Sequence, residues 1–491
     1  MPGIREQLQP LELLDLKKCD TVGKIVDGLS RCSFGGRMLG EVCLTIQGWI
    51  DNGLRPVIIN DGASDVMVMN ALQDARDYFD RPITSEEFSR LNAGHHLRTD
   101  HPVLVVGHVC ERYLQFLFDH GPRVIWLNDT GQAKPGQIQD GFFPDAVFAD
   151  PGYVLTVLSA VLQERRGGKA ISAKRLMGWL NPLGGLSSEV AHGYRTLKAM
   201  VDDPDCTVFM TMSGAMTIAK MGLVICDMID HKMVNYLAST GALIAHGLVE
   251  SVGLKHYKHD PRFTDEQLGD EKLNRVTDTL EPEENLDDVA TVIGKVLDGF
   301  DGDQPICPSI LNRQIGMYLA DQYPGQRGIL KSAYLHGVPV VIPAFVDSEV
   351  GNDVYVHNRA RRTAGKNPIL MDMELDSETL LKAFTRARRR GIFSIGGGVP
   401  RNNTQNVAPL IEITNARLGT RLPEATFDTG CRICPDPMWY GHLSGCTYSE
   451  NASWRKMDPR AIQQGKFAEV HGDATMILPF LIRAIMDELQ A

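Results

Sequence analysis

No run of about 18 or more uncharged apolar residues occurs in the 491-residue chain, so no membrane span is expected. The first ten residues carry neither an apolar signal core nor a cleavage pattern, and a cytoplasmic protein is the expectation. Positive charge is in deficit: 50 Lys and Arg stand against 61 Asp and Glu, for a formal charge of −11. A nucleic-acid binder needs a basic face to meet phosphates, so that class is set aside. The acidic balance suits a cationic ligand, although solubility alone accounts for it equally well. The ten cysteines have no secretory context and are expected to be reduced. Their only close pair, Cys431 and Cys434, lacks the further ligands of a structural zinc site. His95, His96 and His101 show no fixed ligand spacing and read as loop residues; no metal is expected. The Gly-x-Gly-x-x-Gly dinucleotide fingerprint is absent too.

Composition is that of a globular protein, with 43% hydrophobic and 23% charged residues. Short apolar runs at 56–60, 103–106, 124–127, 208–210, 235–238, 338–342 and 392–395 read as buried strands, each bounded by turn-forming residues. Amphipathic stretches such as 218–231 lie between several of them. Strands alternating with helices predict a largely parallel sheet covered on both faces. The stretch 51–184 reads as a separate unit ending in a basic, Gly-rich linker at 164–169. Its flanks, 38–52 and 188–202, both look like amphipathic helices. The expected organisation is one domain of 1–50 and 185–491, interrupted by an inserted α/β unit at 51–184.

Glycine-rich turns follow three of the strand candidates: Ser213-Gly214-Ala215-Met216, Ser239-Thr240-Gly241-Ala242 and Gly396-Gly397-Gly398. Glycine lets backbone approach a phosphate, and a following helix offers free N–H groups. Each turn alone is more often a tight turn than a nucleotide site; three in one α/β chain bring a dinucleotide pocket level with that reading.

The tract from Cys434 to Lys456 carries the most chemistry. Trp454 and Lys456 are two apart, which puts them on one face of a strand but not of a helix. A lysine is nucleophilic when neutral, and desolvation against an indole lowers its pKa and favours Schiff-base formation. Glu450 is placed to hold a cationic amine or move protons. Spacing alone also fits an ordinary surface lysine beside a half-buried tryptophan.

Several motifs together resemble the deoxyhypusine synthase family, which includes homospermidine synthases. They are Asp203-Pro204-Asp205-Cys206, Leu237-Ala238-Ser239-Thr240-Gly241, Asn274-Arg275-Val276-Thr277-Asp278, Gly396-Gly397-Gly398-Val399-Pro400, Leu443-Ser444-Gly445-Cys446 and Val470-His471-Gly472-Asp473-Ala474. The resemblance covers 11 to about 51 and about 187 to 481, and is nearest to the bacterial deoxyhypusine-synthase-like branch. It implies a Rossmann-like α/β fold and an NAD-dependent aminobutyltransferase acting on polyamines. Spermidine or a putrescine-like amine would be the donor, and a small amine or a translation-factor precursor the acceptor. Lys456 matches the imine-forming lysine, Trp454 the polyamine wall and Glu450 an amine-holding carboxylate. Gly441 and His442 join the substrate contacts. The cofactor positions implied are Gly214, Ala215, Met216, Thr240, Gly241, His246, Asp347, Gly397, Asp436, Asp473 and Ala474. A homotetramer is implied as well, with paired sites at dimer interfaces.

The departures from the pattern concern the substrate. Arg455 replaces the usual glycine between Trp454 and Lys456. Asn402 stands where animal enzymes have a polyamine-contacting histidine. Asn352 replaces a carboxylate, with Asp353 adjacent and able to substitute, and Leu443 replaces an acidic residue. These changes also motivate a second reading, a catalytically weak paralogue acting as a regulatory or structural subunit.

Overall fold

The computed structural model describes residues 3–61, 63, 65–93, 101–109, 123–128, 146–147 and 150–489. The strands, in chain order, are β1 (Val57–Ile59), β2 (Val103–Val106), β3 (Val124–Leu127), β4 (Ala146–Val147), β5 (Cys206–Met212), β6 (Tyr236–Ala238), β7 (Tyr257–Lys258), β8 (Leu273–Val276), β9 (Thr279–Pro282), β10 (Val340–Val341), β11 (Arg389–Ile395), β12 (Thr429–Ile433) and β13 (Phe467–Val470). Every stretch expected to be extended contains one of them. The chain divides into two compact units. One comprises Met1–Leu13 and Arg195–Ala474, the other Leu14–Tyr194 and Thr475–Ala491. The expected division had 1–50 with the larger part; here 14–50 packs in the smaller unit.

The larger unit is built on a six-stranded sheet of order β10-β6-β5-β11-β12-β13, with every pairing parallel. Ranked by position in the chain, its strands run third, second, first, fourth, fifth, sixth. This is the doubly wound dinucleotide-binding order, whose crevice opens where the order reverses, here between β5 and β11. The central strands alternate weakly because both faces are covered: the last five residues of β5 and of β11 are all buried. Phe209, Tyr236, Phe384 and Phe427 fill one face, with ring centroids 5.1–5.8 Å apart. Rings that large and that close anchor the sheet by area and by tilted-ring geometry. A three-stranded antiparallel sheet, β7-β9-β8, completes the unit. The expected helix at 218–231 is broken: Ala215–Ile218 and Gly222–Asp230 flank Lys220, whose φ is +70°.

The smaller unit carries a four-stranded parallel sheet of order β1-β2-β3-β4. Its helices include Phe34–Asp51 and Pro151–Gly167. The second is buried continuously from Pro151 to Leu162, and the hydroxyls of Thr156 and Ser159 there donate to the carbonyls of Gly152 and Leu72. Asp150 caps its start and left-handed Gly168 ends it. The segment 164–169 is therefore not wholly a solvated linker. Glu164 belongs to the last turn, and its carboxylate accepts from Thr21 Oγ1 at 2.9 Å and from the Gly23 and Ile171 amides. Periodicity missed this because the partners come from elsewhere in the chain. His95 and His96 lie outside the described residues. His101 faces Asp80 at 3.8 Å.

Candidate active site

The residues expected to hold a cofactor all follow the carboxyl ends of the six parallel strands. Gly214, Ala215 and Met216 come after β5, and Thr240 and Gly241 after β6. Asp347 follows β10, Gly397 follows β11, Asp436 follows β12, and Asp473 and Ala474 follow β13. His246 lies in the second turn of the helix Ala242–Ser251. The helices Ala242–Ser251 and Gly398–Gln405 start on opposite sides of the order reversal, and neither takes a side-chain cap. Leu243 and Ile244 already donate to the carbonyls of Thr240 and Gly241, and Pro400 has no N–H, so only the N–H groups at the very start of each helix suit an anionic group such as a pyrophosphate. At Gly397 a Cβ would lie 2.7 Å from Ser444 Cα and 2.8 Å from its carbonyl oxygen, so only glycine allows these two loops to meet.

Lys456 stands on the β11–β12 side of the reversal. The short helix Tyr448–Ala452, capped by Thr447, ends in a turn rather than a strand. The Arg455 amide donates to Ala452 O at 3.0 Å and the Lys456 amide to Asn451 O at 3.1 Å. This double closure is a Schellman motif with Arg455 at the left-handed position, φ +54°. Glycine normally sits there, which explains the family's usual residue. Arg455 points its charge outward to Glu412, 3.0 Å away. Beyond the turn the chain is stitched down: the Phe427 amide donates to Lys456 O at 3.0 Å, and Met457 is fully buried in the core.

The Lys456 side chain is 6% exposed. Its Nζ donates to Asn402 Oδ1 at 3.2 Å and lies 5.7 Å from the Trp454 ring centroid. Burial first, and the charge of Arg401 second, hold its pKa below the usual lysine value. The indole wall expected from sequence contributes less than assumed, since Trp454 is 64% exposed. Lys456 opens into a cavity of about 600 Å³ that also takes in Arg401, Asn402, His442, Cys446, Glu450 and Trp454.

Two buried arginines absent from the sequence reading hold the loop beside the cavity, and Arg401 also lines it. Arg401 donates to the carbonyls of Ser444 and Cys446 at 3.1 and 2.5 Å. Arg432 donates to the same two carbonyls at 3.2 and 3.0 Å and pairs with Glu469 at 2.9 Å. Nothing in a one-dimensional pattern links residues 401, 432 and 444.

Of the expected substrate residues, Lys456, Glu450, Trp454, Asn402 and His442 converge on this cavity. Gly441 lies in the same loop as His442 without lining it, and nothing lies within 4 Å of a Cβ built there. Asp353 is elsewhere, on the helix Glu349–Thr363. Its carboxyl is pushed up to about 6 by burial and by the charges of Glu349 and Asp287.

His246 belongs to a buried ionic chain. Glu250 Oε1 meets Lys220 Nζ at 2.7 Å, which meets His256 Nδ1 at 2.6 Å. His256 Nε2 faces Glu281 Oε1 at 3.2 Å, and Glu281 Oε2 faces His246 Nδ1 at 2.5 Å. His246, His256 and Glu281 present their ligand-type atoms within 4.8 Å of one another. Lys220 favours hydrogen bonding over metal ligation: with an ammonium donating to Nδ1, a metal on Nε2 would strip the imidazole of its only proton.

Residues 176–485 match the family model described as deoxyhypusine synthase. Among curated proteins, the chain is 31% identical over 322 residues to "Probable deoxyhypusine synthase 2" of Methanosarcina acetivorans, covering 65% of this chain and 87% of that one. It is 27% identical over 297 residues to a "Deoxyhypusine synthase-like protein" of Elusimicrobium minutum, covering 60% and 75%. A protein of the same name from Chlorobaculum parvum is 31% identical over 289 residues, covering 57% and 77%.

Proposed function

The chain belongs to the deoxyhypusine synthase family, and from that premise we propose that it transfers an aminobutyl group from a polyamine to an acceptor amine through an imine on Lys456. Spermidine or a putrescine-like amine is the donor. A small amine is the favoured acceptor, giving a homospermidine-like product, because the sequence resembles the bacterial branch. NAD, held by the carboxyl-edge loops, would supply reversible hydride acceptance; the sheet order and the uncapped helix starts support that fit.

The chain's own residues have the following parts. The neutral amine of Lys456 adds to the imine carbon of the oxidised donor. The C–N bond to the departing amine then breaks, and that amine leaves with the bonding pair and a proton. The acceptor amine displaces Lys456 by the same exchange in reverse. Asn402 orients the Lys456 nitrogen, Glu450 holds a substrate ammonium at the cavity mouth, and Trp454 offers a π face to a cationic chain. The observation that carries the reading is a buried, partly desolvated lysine in an open cavity, with no carboxylate paired to it among the described residues.

Mass spectrometry of products formed with NAD and spermidine, putrescine or agmatine tests it, alongside borohydride trapping of the Lys456 adduct. Turnover by the isolated chain that disappears in Lys456→Ala supports it. Absence of any adduct across the amines refutes it and leaves the regulatory-subunit reading.

A homotetramer goes with this proposal. Exposed Met438, Trp439 and Tyr440 near the cavity, and Leu410 and Ile413 on the helix Val407–Leu418, support an interface between copies. The stretch 51–184 remains proposed as an added unit with no assigned chemistry, in keeping with a family match that begins at 176.

A further inference from the structure

Arg401 lines the cavity and differs from Arg432, the other buried arginine that holds the Ser444 and Cys446 carbonyls. Arg432 is paired with Glu469, whereas Arg401, 4% exposed, forms no ion pair among the described residues. Its bonds go to two carbonyl oxygens, and its guanidinium carbon lies 5.6 Å from the Tyr448 ring centroid. It sits on the helix Gly398–Gln405, one residue before Asn402, the side chain that receives the Lys456 proton donor. Its direct partners are dipoles and a π face, and the Glu469 charge reaches it without a direct contact, so part of its field extends into the cavity.

We propose that Arg401 is a positioning residue for Lys456: it fixes the Ser444–Cys446 backbone that walls the cavity, and its permanent charge favours the uncharged, nucleophilic amine. The other charged or titratable groups facing Lys456 are few. The loop 436–447 contributes His442 and Cys446, and the helix Tyr448–Ala452 contributes Glu450. Cys446 acts against Arg401, and burial acts with it. Arg455, on the same turn, is directed away to Glu412. Arginine suits the role because it stays charged when buried and forks onto two acceptors at once; a lysine would do neither as well.

The inference rests on Lys456 being the reactive amine of the proposed reaction, but its test needs no polyamine. Formaldehyde and cyanoborohydride methylate a lysine in proportion to its neutral fraction. Peptide mass spectrometry of the full chain gives the labelling midpoint of Lys456 between about pH 6 and about pH 10, against exposed lysines such as Lys382 in the same sample. In the native chain the Lys456 midpoint should lie below theirs. Arg401→Gln should move it up towards them and cut labelling at neutral pH by about tenfold, a shift of one pKa unit. Arg401→Lys should leave the midpoint between those of the native chain and Arg401→Gln and loosen the loop, seen as faster hydrogen exchange at Ser444 and Cys446. An unchanged midpoint in a folded Arg401→Gln protein overturns the proposal. So does a native midpoint equal to that of the exposed lysines, which requires no variant. If polyamines give no adduct but the midpoint moves, the transfer reading fails and the role of Arg401 stands.

Discussion

Two lysines lie buried in the larger unit, Lys220 at 2% exposure and Lys456 at 6%. Their surroundings differ in one respect. Lys220 touches Glu250 at 2.7 Å and is charge-compensated inside a chain that runs to His246. Lys456 touches only an amide oxygen and shares its cavity wall with a second cation. The first arrangement compensates a buried charge; the second makes the charged form of Lys456 costly, as the proposed nucleophile requires. Burial alone does not separate a structural lysine from a chemical one. The counter-charge does.

The comparison can be broken most sharply at Lys456. Lys456→Met should abolish the borohydride adduct and lower turnover by roughly 10³-fold or more, as expected when the group forming the covalent bond is lost. Its thermal midpoint at neutral pH should be unchanged or higher, because a poorly compensated amine leaves the interior. A drop of several degrees would show that Lys456 is structural. Glu250→Gln should do the opposite. Stranding the Lys220 ammonium costs about 3–5 kcal/mol, read from urea unfolding, while the pH midpoint for Lys456 methylation stays fixed.

A smaller effect concerns pH. In Glu281, burial raises the carboxyl pKa, but the His246 and His256 imidazoles outweigh it and pull it from 4.5 down to about 2. The stability this gives is present above 4.5 and is lost as pH falls towards about 2. Glu281→Gln should therefore flatten the acid limb of the stability profile in that window. A limb of unchanged slope would place the coupling elsewhere. The smallest change is expected at Arg455. Arg455→Gly should gain roughly 0.5–1 kcal/mol by relieving the left-handed backbone, at the loss of an exposed ion pair worth little. Loss of stability instead would mean that the Glu412 contact outweighs the backbone strain.

Much of this was legible in one dimension. Apolar runs marked the core strands of both sheets because a strand buried on both faces must be continuously apolar. The strands β12 and β13 were not marked: Thr429-Gly430-Cys431-Arg432-Ile433 carries a buried arginine, and Phe467-Ala468-Glu469-Val470 its carboxylate partner. A pair that neutralises itself across neighbouring strands looks polar in each strand taken alone. The glycine-rich turns were found because glycine is a chemical label for close approach, as at Gly397 against Ser444. The buried chain from Glu250 to His246 could not be assembled in one dimension: those two share the helix Ala242–Ser251, but Lys220, His256 and Glu281 come from other parts of the chain.

The sequence by itself determined that this is an α/β protein with a parallel sheet, where its turns lie, and, through several motifs at once, that Lys456 is its most informative residue. Periodicity and residue type are local properties, and these conclusions are local. Only the tertiary structure decided the strand order that opens a crevice between β5 and β11. It alone showed that Arg455 occupies a left-handed helix end, and that Asn402 and Arg401, some fifty residues upstream of Lys456, set its environment. The reactivity proposed for Lys456 depends on which charges and dipoles lie within a few ångströms, and sequence distance carries no information about that.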